Sequence, residues 1–209
     1  MKLSIPRLHV ITDERLQSHY SHIELARICV DAGADGIQYR EKREKSQIEH
    51  LQSVTAMRHI CDEARAQLII NDFVNVAIEA KVTAVHLGRD DISIPTARAM
   101  LPDDTMIGGT ANSLREALLV AELDVDYLGV GPVFGTSSKA SPAPTLGVAA
   151  LREICERVDK PVIAIGNIQL HSVASVIEAG AHGVAVLSAI CCAGDVAQAT
   201  SDFCEILSA

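Results

Sequence analysis

One pattern recurs along the whole chain. A helical stretch closes on glycine or another small residue, and a short apolar run rich in β-branched residues follows. Ala32-Gly33-Ala34-Asp35-Gly36 leads into Ile37-Gln38-Tyr39, and Ala80-Lys81-Val82-Thr83 into Ala84-Val85-His86-Leu87. Leu123-Asp124-Val125-Asp126 leads into Tyr127-Leu128-Gly129-Val130, and Ala179-Gly180-Ala181-His182 into Gly183-Val184-Ala185-Val186-Leu187. Such a junction is a helix end in the left-handed region handing the chain to a buried parallel strand. Strands covered on both faces read as continuous apolar runs rather than clean alternations.

Eight such runs occur: Leu8–Thr12, Gly36–Tyr39, Leu68–Asn71, Ala84–Leu87, Met106–Thr110, Tyr127–Val130, Val162–Ile165 and Gly183–Leu187. Helical patterns separate them. Ser21–Asp31 carries Ile23, Ala26, Arg27 and Val30 at helical spacing. Ser46–Ala66 sets Ile48, Leu51, Val54, Met57, Ile60 and Cys61 on one face. Asn112-Ser113 starts another helix, with an N-cap and an acidic first turn, and Val196–Leu207 is the last. Eight strand–helix units in 209 residues predict an α/β fold, a (β/α)8 TIM barrel, as one domain over residues 1–209. The rival is an open doubly wound sheet. Its glycine-rich turn after the first strand is missing, since Asp13-Glu14-Arg15 follows Leu8–Thr12.

Composition narrows the function. Eighteen Lys and Arg against 27 Asp and Glu give a formal net charge of −9, and aromatics are 3% of the chain. A nucleic-acid partner, which needs a basic face or a stacking platform, is therefore not expected. No run approaches the roughly 18 apolar residues of a membrane span. The N-terminal residues carry no long apolar stretch of the secretory kind, so a cytoplasmic protein is expected. Cys29, Cys61, Cys155, Cys191, Cys192 and Cys204 form no C-x-x-C pair and read as small hydrophobes in a reducing compartment. No H-x-H, H-E-x-x-H or G-x-S-x-G arrangement occurs, and His86 lies inside an apolar strand.

In a barrel of this kind the chemistry sits where strands end. Gln38-Tyr39-Arg40-Glu41-Lys42 ends the second strand, and Asn71-Asp72 the third. His86-Leu87-Gly88-Arg89-Asp90-Asp91 covers the fourth, Gly108-Gly109-Thr110 the fifth, and Gly131–Lys139 follows the sixth. Gly166-Asn167 and Leu187-Ser188 close the last two. Arg40, Lys42 and Lys139 gather positive charge at separate strand ends of an acidic protein, which suits a phosphate or diphosphate. Each could equally pair with Glu41, Glu44 or solvent. Asp72 and Asp91 follow neighbouring strands and suggest a Mg2+ bridge to phosphate oxygens, with Asp90 an alternative to Asp91. They could equally cap the helices starting near Val74 and Ile94. The polar stretch Gly131–Gly147 is long for such a loop and reads as a lid. Gly166-Asn167 and Ser188 occupy the usual phosphate position of the fold.

The strand ends resemble the thiamine-phosphate synthase (thiamine-phosphate pyrophosphorylase) family over nearly the whole length. The resemblance is carried by Val10-Ile11-Thr12-Asp13, Gln38–Lys42, Ile70-Asn71-Asp72, Val85–Gly88 with Asp90-Asp91, Gly129–Phe134 with Thr136, Ser138 and Lys139, and Ala179–Val186. It implies a transferase that joins hydroxymethylpyrimidine diphosphate to a thiazole phosphate and releases diphosphate, with Mg2+ as cofactor. By resemblance, Gln38, Arg40, Lys42, Asn71 and Lys139 hold the pyrimidine diphosphate, Thr110 lies near the pyrimidine, and Asp72 and Asp91 ligate the metal. Thr136 and Ser138, with backbone at Asn167 and Leu187-Ser188, hold the thiazole phosphate. Tyr39, Glu41 and Ser137 from the same segments complete the expected substrate-binding set, and Arg40, Lys42 and Lys139 neutralise the leaving group. A homo-oligomer is common for such barrels.

Asn167 stands where the family has a second glycine, Gly135 where it has proline, Ser138 where it has threonine, Thr110 where serine is common and Arg89 where glutamine is common. A sister group isomerises a thiazole carboxylate phosphate with a histidine just after the fifth strand, and Thr110-Ala111-Asn112-Ser113 offers none. A barrel that binds phosphate ligands without turnover is the third reading.

Overall fold

The structure is a computed structural model that describes residues 4–136 and 143–208. Eight parallel strands close into a barrel in chain order. They are β1 (Leu8–Thr12), β2 (Gly36–Tyr39), β3 (Gln67–Asn71), β4 (Ala84–Leu87), β5 (Met106–Ala111), β6 (Tyr127–Val130), β7 (Val162–Ile165) and β8 (Gly183–Val186). The barrel closes where Leu8, His9 and Val10 run beside Val184, Ala185 and Val186. The open-sheet rival is thereby excluded. The expected strands differ from the observed ones by one residue, at the start of β3 and the ends of β5 and β8.

The outer layer comprises α1 (His22–Asp31), α2 (Gln47–Ala64), α3 (Val74–Glu79), α4 (Ile94–Met100), α5 (Leu114–Ala121), α6 (Gly147–Arg157), α7 (Val173–Glu178), the four-residue α8 (Ser188–Cys191) and α9 (Val196–Ser208). Ser21 and Ser46 open α1 and α2 with full capping boxes, reciprocated by Glu24 and Glu49. Ser113 caps α5 as its position predicts, accepting from the Glu116 N–H.

Alternate residues of each strand face opposite ways, so two cores form. Val10, Ile37, Tyr39, Ile70, Val85, Leu128 and Val130 pack outward against helix residues such as Leu25, Met57, Leu151 and Phe203. Ile11, Ile69, Ala84, Met106, Tyr127, Ile163 and Ala185 fill the lumen. Each fully buried aliphatic side chain contributes about 1.5–3 kcal/mol. Two helix faces depart from the expected ones. On α2, Ile48 is 68% exposed and His50 is buried in its place. On α1, Ile23 and Arg27 face outward, and Leu25 and Cys29 are buried beside Ala26 and Val30. In both helices a buried histidine, His22 or His50, turns the packed face away from the purely apolar stripe. All six cysteines are free, and burial pushes the thiols of Cys29 and Cys61 up to about 11 and about 12.

Candidate active site

The ends of β1 to β4 bring the charged groups of the mouth together. Period-two alternation turns Gln38 and Arg40 the opposite way from Ile37 and Tyr39, and both are buried, at 4% and 8% exposure. The Arg40 guanidinium is paired with Asp13, whose carboxylate is wholly buried at the end of β1. The Arg40 N–H also donates to the Thr12 carbonyl (3.2 Å), extending the β1–β2 ladder past Tyr39. Two residues on, Lys42 Nζ lies 2.5 Å from Asp72 Oδ2. Neither Arg40 nor Lys42 takes Glu41 or Glu44 as its carboxylate. They pair instead with acids from the neighbouring strand ends.

Asp72 and Asp91 are neighbours close enough for each carboxyl to bear on the other's charge. Burial pushes the Asp91 carboxyl up to about 6, and the adjoining Asp72 carboxylate adds to the rise. The Gly88 N–H and the Lys42 charge oppose it only in part. Neither acid caps a helix. Phe73 stands at the N-cap of α3 without a side-chain bond, and Ser93 caps α4. Asp91 instead accepts from the Gly88 N–H at 2.6 Å, which closes a tight turn directly after β4. Asp90 is not its equivalent: its side chain is 93% exposed and lies 3.8 Å from Arg89. Asp72 has φ 70°, a left-handed conformation that is uncommon for a residue with a Cβ. Two acids held together, one of them raised by burial, form an oxygen-rich site suited to a divalent cation.

Deeper in the lumen, His86 Nε2 lies 2.9 Å from Thr110 Oγ1, and Nδ1 lies 3.1 Å from the Tyr127 hydroxyl. The rings of His86 and Tyr127 stack with centroids 5.6 Å apart. Glycines make the room. A Cβ on Gly129 would sit 2.6 Å from His86 Cε1, and one on Gly108 would overlap the Tyr127 ring at 2.1 Å. Asn71 closes β3 beside this column, paired in register with His86.

The far side of the mouth is built by β6 to β8. Val133 and Phe134 donate their N–H groups to Ile165 and Gly166, and Leu146 and Gly147 return to Pro132 and Val133. The first root of the long β6–α6 connection is thus tied to the end of β7, and its second root is tied to the first. Thr136 is half-buried on it. Ser137, Ser138 and Lys139 lie outside the described residues, as does the middle of the expected lid. Gly166 has φ 108°, and a Cβ there would strike Pro132 Cα at 2.5 Å. Asn167 follows with φ 48°, a conformation asparagine tolerates better than most residues, and its amide oxygen accepts from Gln169 (3.2 Å). Asn167 and Ser188 are exposed, and Leu187 is half-buried at the start of α8.

Two expected substrate contacts are corrected. Tyr39 is fully buried in the outer core, its hydroxyl 2.8 Å from His50 Nδ1 and its ring 4.6 Å from that of His22. Glu41, 1% exposed, also points outward, into a cluster with His22, Arg43 and Lys45. Both have the strand parity opposite to Gln38 and Arg40. Among the described residues, one group of ligand-type side chains could surround an ion: Glu14, His22 and Glu41. Arg43 pairs with both of these glutamates, and Lys45 lies 2.8 Å from Glu41 and 3.4 Å from Glu14. Those carboxylates are already neutralised, and Mg2+ favours an all-oxygen shell over a histidine.

Asp13 and His86 stand outside the site residues expected from the sequence. Asp13 follows β1 directly, so the strand-end rule reaches it. His86 shares strand parity with the luminal Ala84, and the two glycines opposite it on β5 and β6 were the available signal.

The thiamine monophosphate synthase family description matches residues 8–190. The chain is 46% identical over 200 residues to the thiamine-phosphate synthase of Salinibacter ruber, covering 96% of this chain and 88% of that relative. It is 39% identical over 200 residues to the thiamine-phosphate synthase of Methanospirillum hungatei, covering 96% and 97%. The solved thiamine phosphate pyrophosphorylase from Pyrococcus furiosus superposes with a TM-score of 0.88 at 34% identity, covering 97% of this chain and 95% of that one.

Proposed function

The chain belongs to the thiamine monophosphate synthase family, and on that premise we propose that it joins hydroxymethylpyrimidine diphosphate to thiazole phosphate, releasing diphosphate. The observation that carries the reading is the row Arg40, Lys42, Asp72 and Asp91, four charged groups from three strand ends on one side of the barrel mouth.

The residues suit a reaction driven by charge and proximity. An aminopyrimidine is electron-rich enough to release diphosphate and leave a stabilised benzylic-type cation, which the thiazole nitrogen then attacks. The C–O bond to diphosphate breaks with its electron pair going to the leaving group, and the new C–N bond forms from the thiazole lone pair. No proton need be moved by the protein. Arg40, Lys42 and Lys139 neutralise the departing diphosphate, and Gln38 and Asn71 orient it. Such preorganised charge is worth several kcal/mol each in a site that excludes water. Thr110, held by His86, faces the pyrimidine. Thr136 and Ser138, with backbone at Asn167, Leu187 and Ser188, take the thiazole phosphate, and Ser137 belongs to the same substrate-binding segment.

The acid pair fits Mg2+. Two carboxylates pressed together, one raised to about 6, gain from a shared cation. Bound there, Mg2+ would supply charge neutralisation of the diphosphate oxygens. Lys42, beside Asp72, would face the leaving group together with the ion. We read residues 1–209 as a single cytoplasmic domain acting on small molecules rather than on nucleic acid or membrane. No helix among the described residues is long and apolar enough to cross a membrane.

The test is diphosphate release on mixing both substrates with Mg2+, with thiazole phosphate and its carboxylate analogue compared. Release with thiazole phosphate, cut at least about 100-fold by Asp72→Ala and by Lys139→Ala in folded protein, is the expected result. Isomerisation of the carboxylate analogue alone would assign the chain to the sister chemistry. Tight phosphate binding without turnover would make it a binding module.

A further inference from the structure

The turn between β2 and α2 carries Arg40 and Lys42, yet between them the chain sends one carboxylate the other way. Glu41 is 1% exposed. Its Oε1 accepts the backbone N–H groups of Lys42 (2.9 Å) and Arg43 (2.8 Å). Its Oε2 lies 2.8 Å from Lys45 Nζ, 2.8 Å from Arg43 Nη2 and 3.3 Å from His22 Nε2. The Arg43 Nε is shared between both oxygens at 3.2 Å. Burial alone would push this carboxyl up, but the Lys45 ammonium and the Arg43 N–H outweigh it and hold the group below its ordinary range.

The donors all belong to the turn or to the helix behind it. His22 in turn reaches the Thr12 hydroxyl (2.7 Å), and the Thr12 carbonyl receives the Arg40 N–H. One buried anion thus ties residues 42, 43 and 45 to α1 and to the end of β1. Of the four cations of this turn, Arg40 and Lys42 pair with Asp13 and Asp72, whereas Arg43 and Lys45 share Glu14 and Glu41. The nearest counter-charges for Arg43 and Lys45 are Glu14 and Glu41, which keeps them off the mouth.

We propose that Glu41 is a positioning residue: its outward carboxylate folds the cationic turn so that Arg40 and Lys42 present their charges to the diphosphate. It touches no substrate and acts through the two residues flanking it. This rests on the reading of the mouth as a diphosphate site.

The experiment titrates inorganic diphosphate with Mg2+ into the wild-type chain, Glu41→Gln and Glu41→Asp by calorimetry. Steady-state kinetics with each substrate varied separately accompany it. Glu41→Gln should weaken diphosphate binding and raise KM for the pyrimidine diphosphate by about tenfold or more, with KM for thiazole phosphate within about twofold and Glu41→Asp between the two. Unchanged diphosphate affinity in folded Glu41→Gln, or equal losses for both substrates, overturns the proposal. Should Glu41→Gln fail to fold, Lys45→Met must give the same selective rise at about threefold, and no rise overturns it. A wild-type chain that binds diphosphate without turnover, with binding weakened in Glu41→Gln, upholds the positioning role and sinks the proposed reaction. A wild-type chain with no diphosphate affinity overturns both.

Discussion

Asp91 is the residue on which the physics of the mouth presses hardest. Its ionised form is disfavoured by burial and by Asp72, and stabilised mainly by the Gly88 N–H and Lys42. A folded-state pKa above the ordinary carboxylate value means that the fold is strained by ionisation as pH rises through about 4 to 6. Asp91→Asn is therefore predicted to keep or raise the melting temperature near pH 7 while lowering turnover by about 100-fold or more. A thermal melt and a diphosphate-release assay on one sample check both halves. A fall in melting temperature of several degrees would show that the carboxylate serves the fold instead. The strand-end rule made Asp72 and Asp91 legible as acids of the mouth. It left open whether they capped helices and whether Asp90 or Asp91 faced inward. Those questions turned on side-chain direction within a loop, which spacing does not encode, and Ser93 and the Gly88 N–H answered them.

At the level of elements, strand parity sorts the candidate residues. Eight strand runs were readable because buried parallel strands are continuous apolar blocks between small-residue helix ends. The same continuity hid which residues face the lumen, since an apolar block shows no alternation. Tyr39 and Glu41 share one segment with Gln38 and Arg40, and only parity separates them, as it separates His86 from its apolar neighbours. The glycines opposite His86 turn parity into a prediction. Gly129→Ala puts a methyl 2.6 Å from His86 Cε1 in a filled lumen, so the ring must shift or the strands must part. Overpacking of this kind costs about 1–3 kcal/mol. Chemical denaturation should show that loss, together with a raised KM for the pyrimidine substrate as Thr110 loses its partner. Full stability with unchanged kinetics would mean that the column His86–Thr110 has no part in the site. On α2, Ser46→Ala removes one half of a capping box and is predicted to cost about 1 kcal/mol without altering turnover.

The barrel as a whole carries buried histidines that must stay neutral. Burial lowers His9 to about 3 and His22 to about 4, in the latter case against the pull of Glu41. The unfolded chain protonates both near 6.5, so between about pH 6.5 and 4 it binds more protons than the folded one. Stability must then fall with falling pH, by up to about 1.4 kcal/mol per pH unit for each histidine. Melting temperatures from pH 7 down to pH 4 should drop steadily, and a flat profile would contradict the buried neutral state. The central claim concerns the mouth of the barrel, where Asp72 and Asp91 would hold a divalent ion against diphosphate beside Arg40 and Lys42. Anomalous diffraction from crystals soaked in Mn2+ and diphosphate, Mn2+ standing in for Mg2+, tests it most directly. The account predicts an anomalous peak bridging Asp72 and Asp91, with diphosphate between it and the cations of the β2–α2 turn. A peak among Glu14, His22 and Glu41, with none at the acid pair, would contradict it.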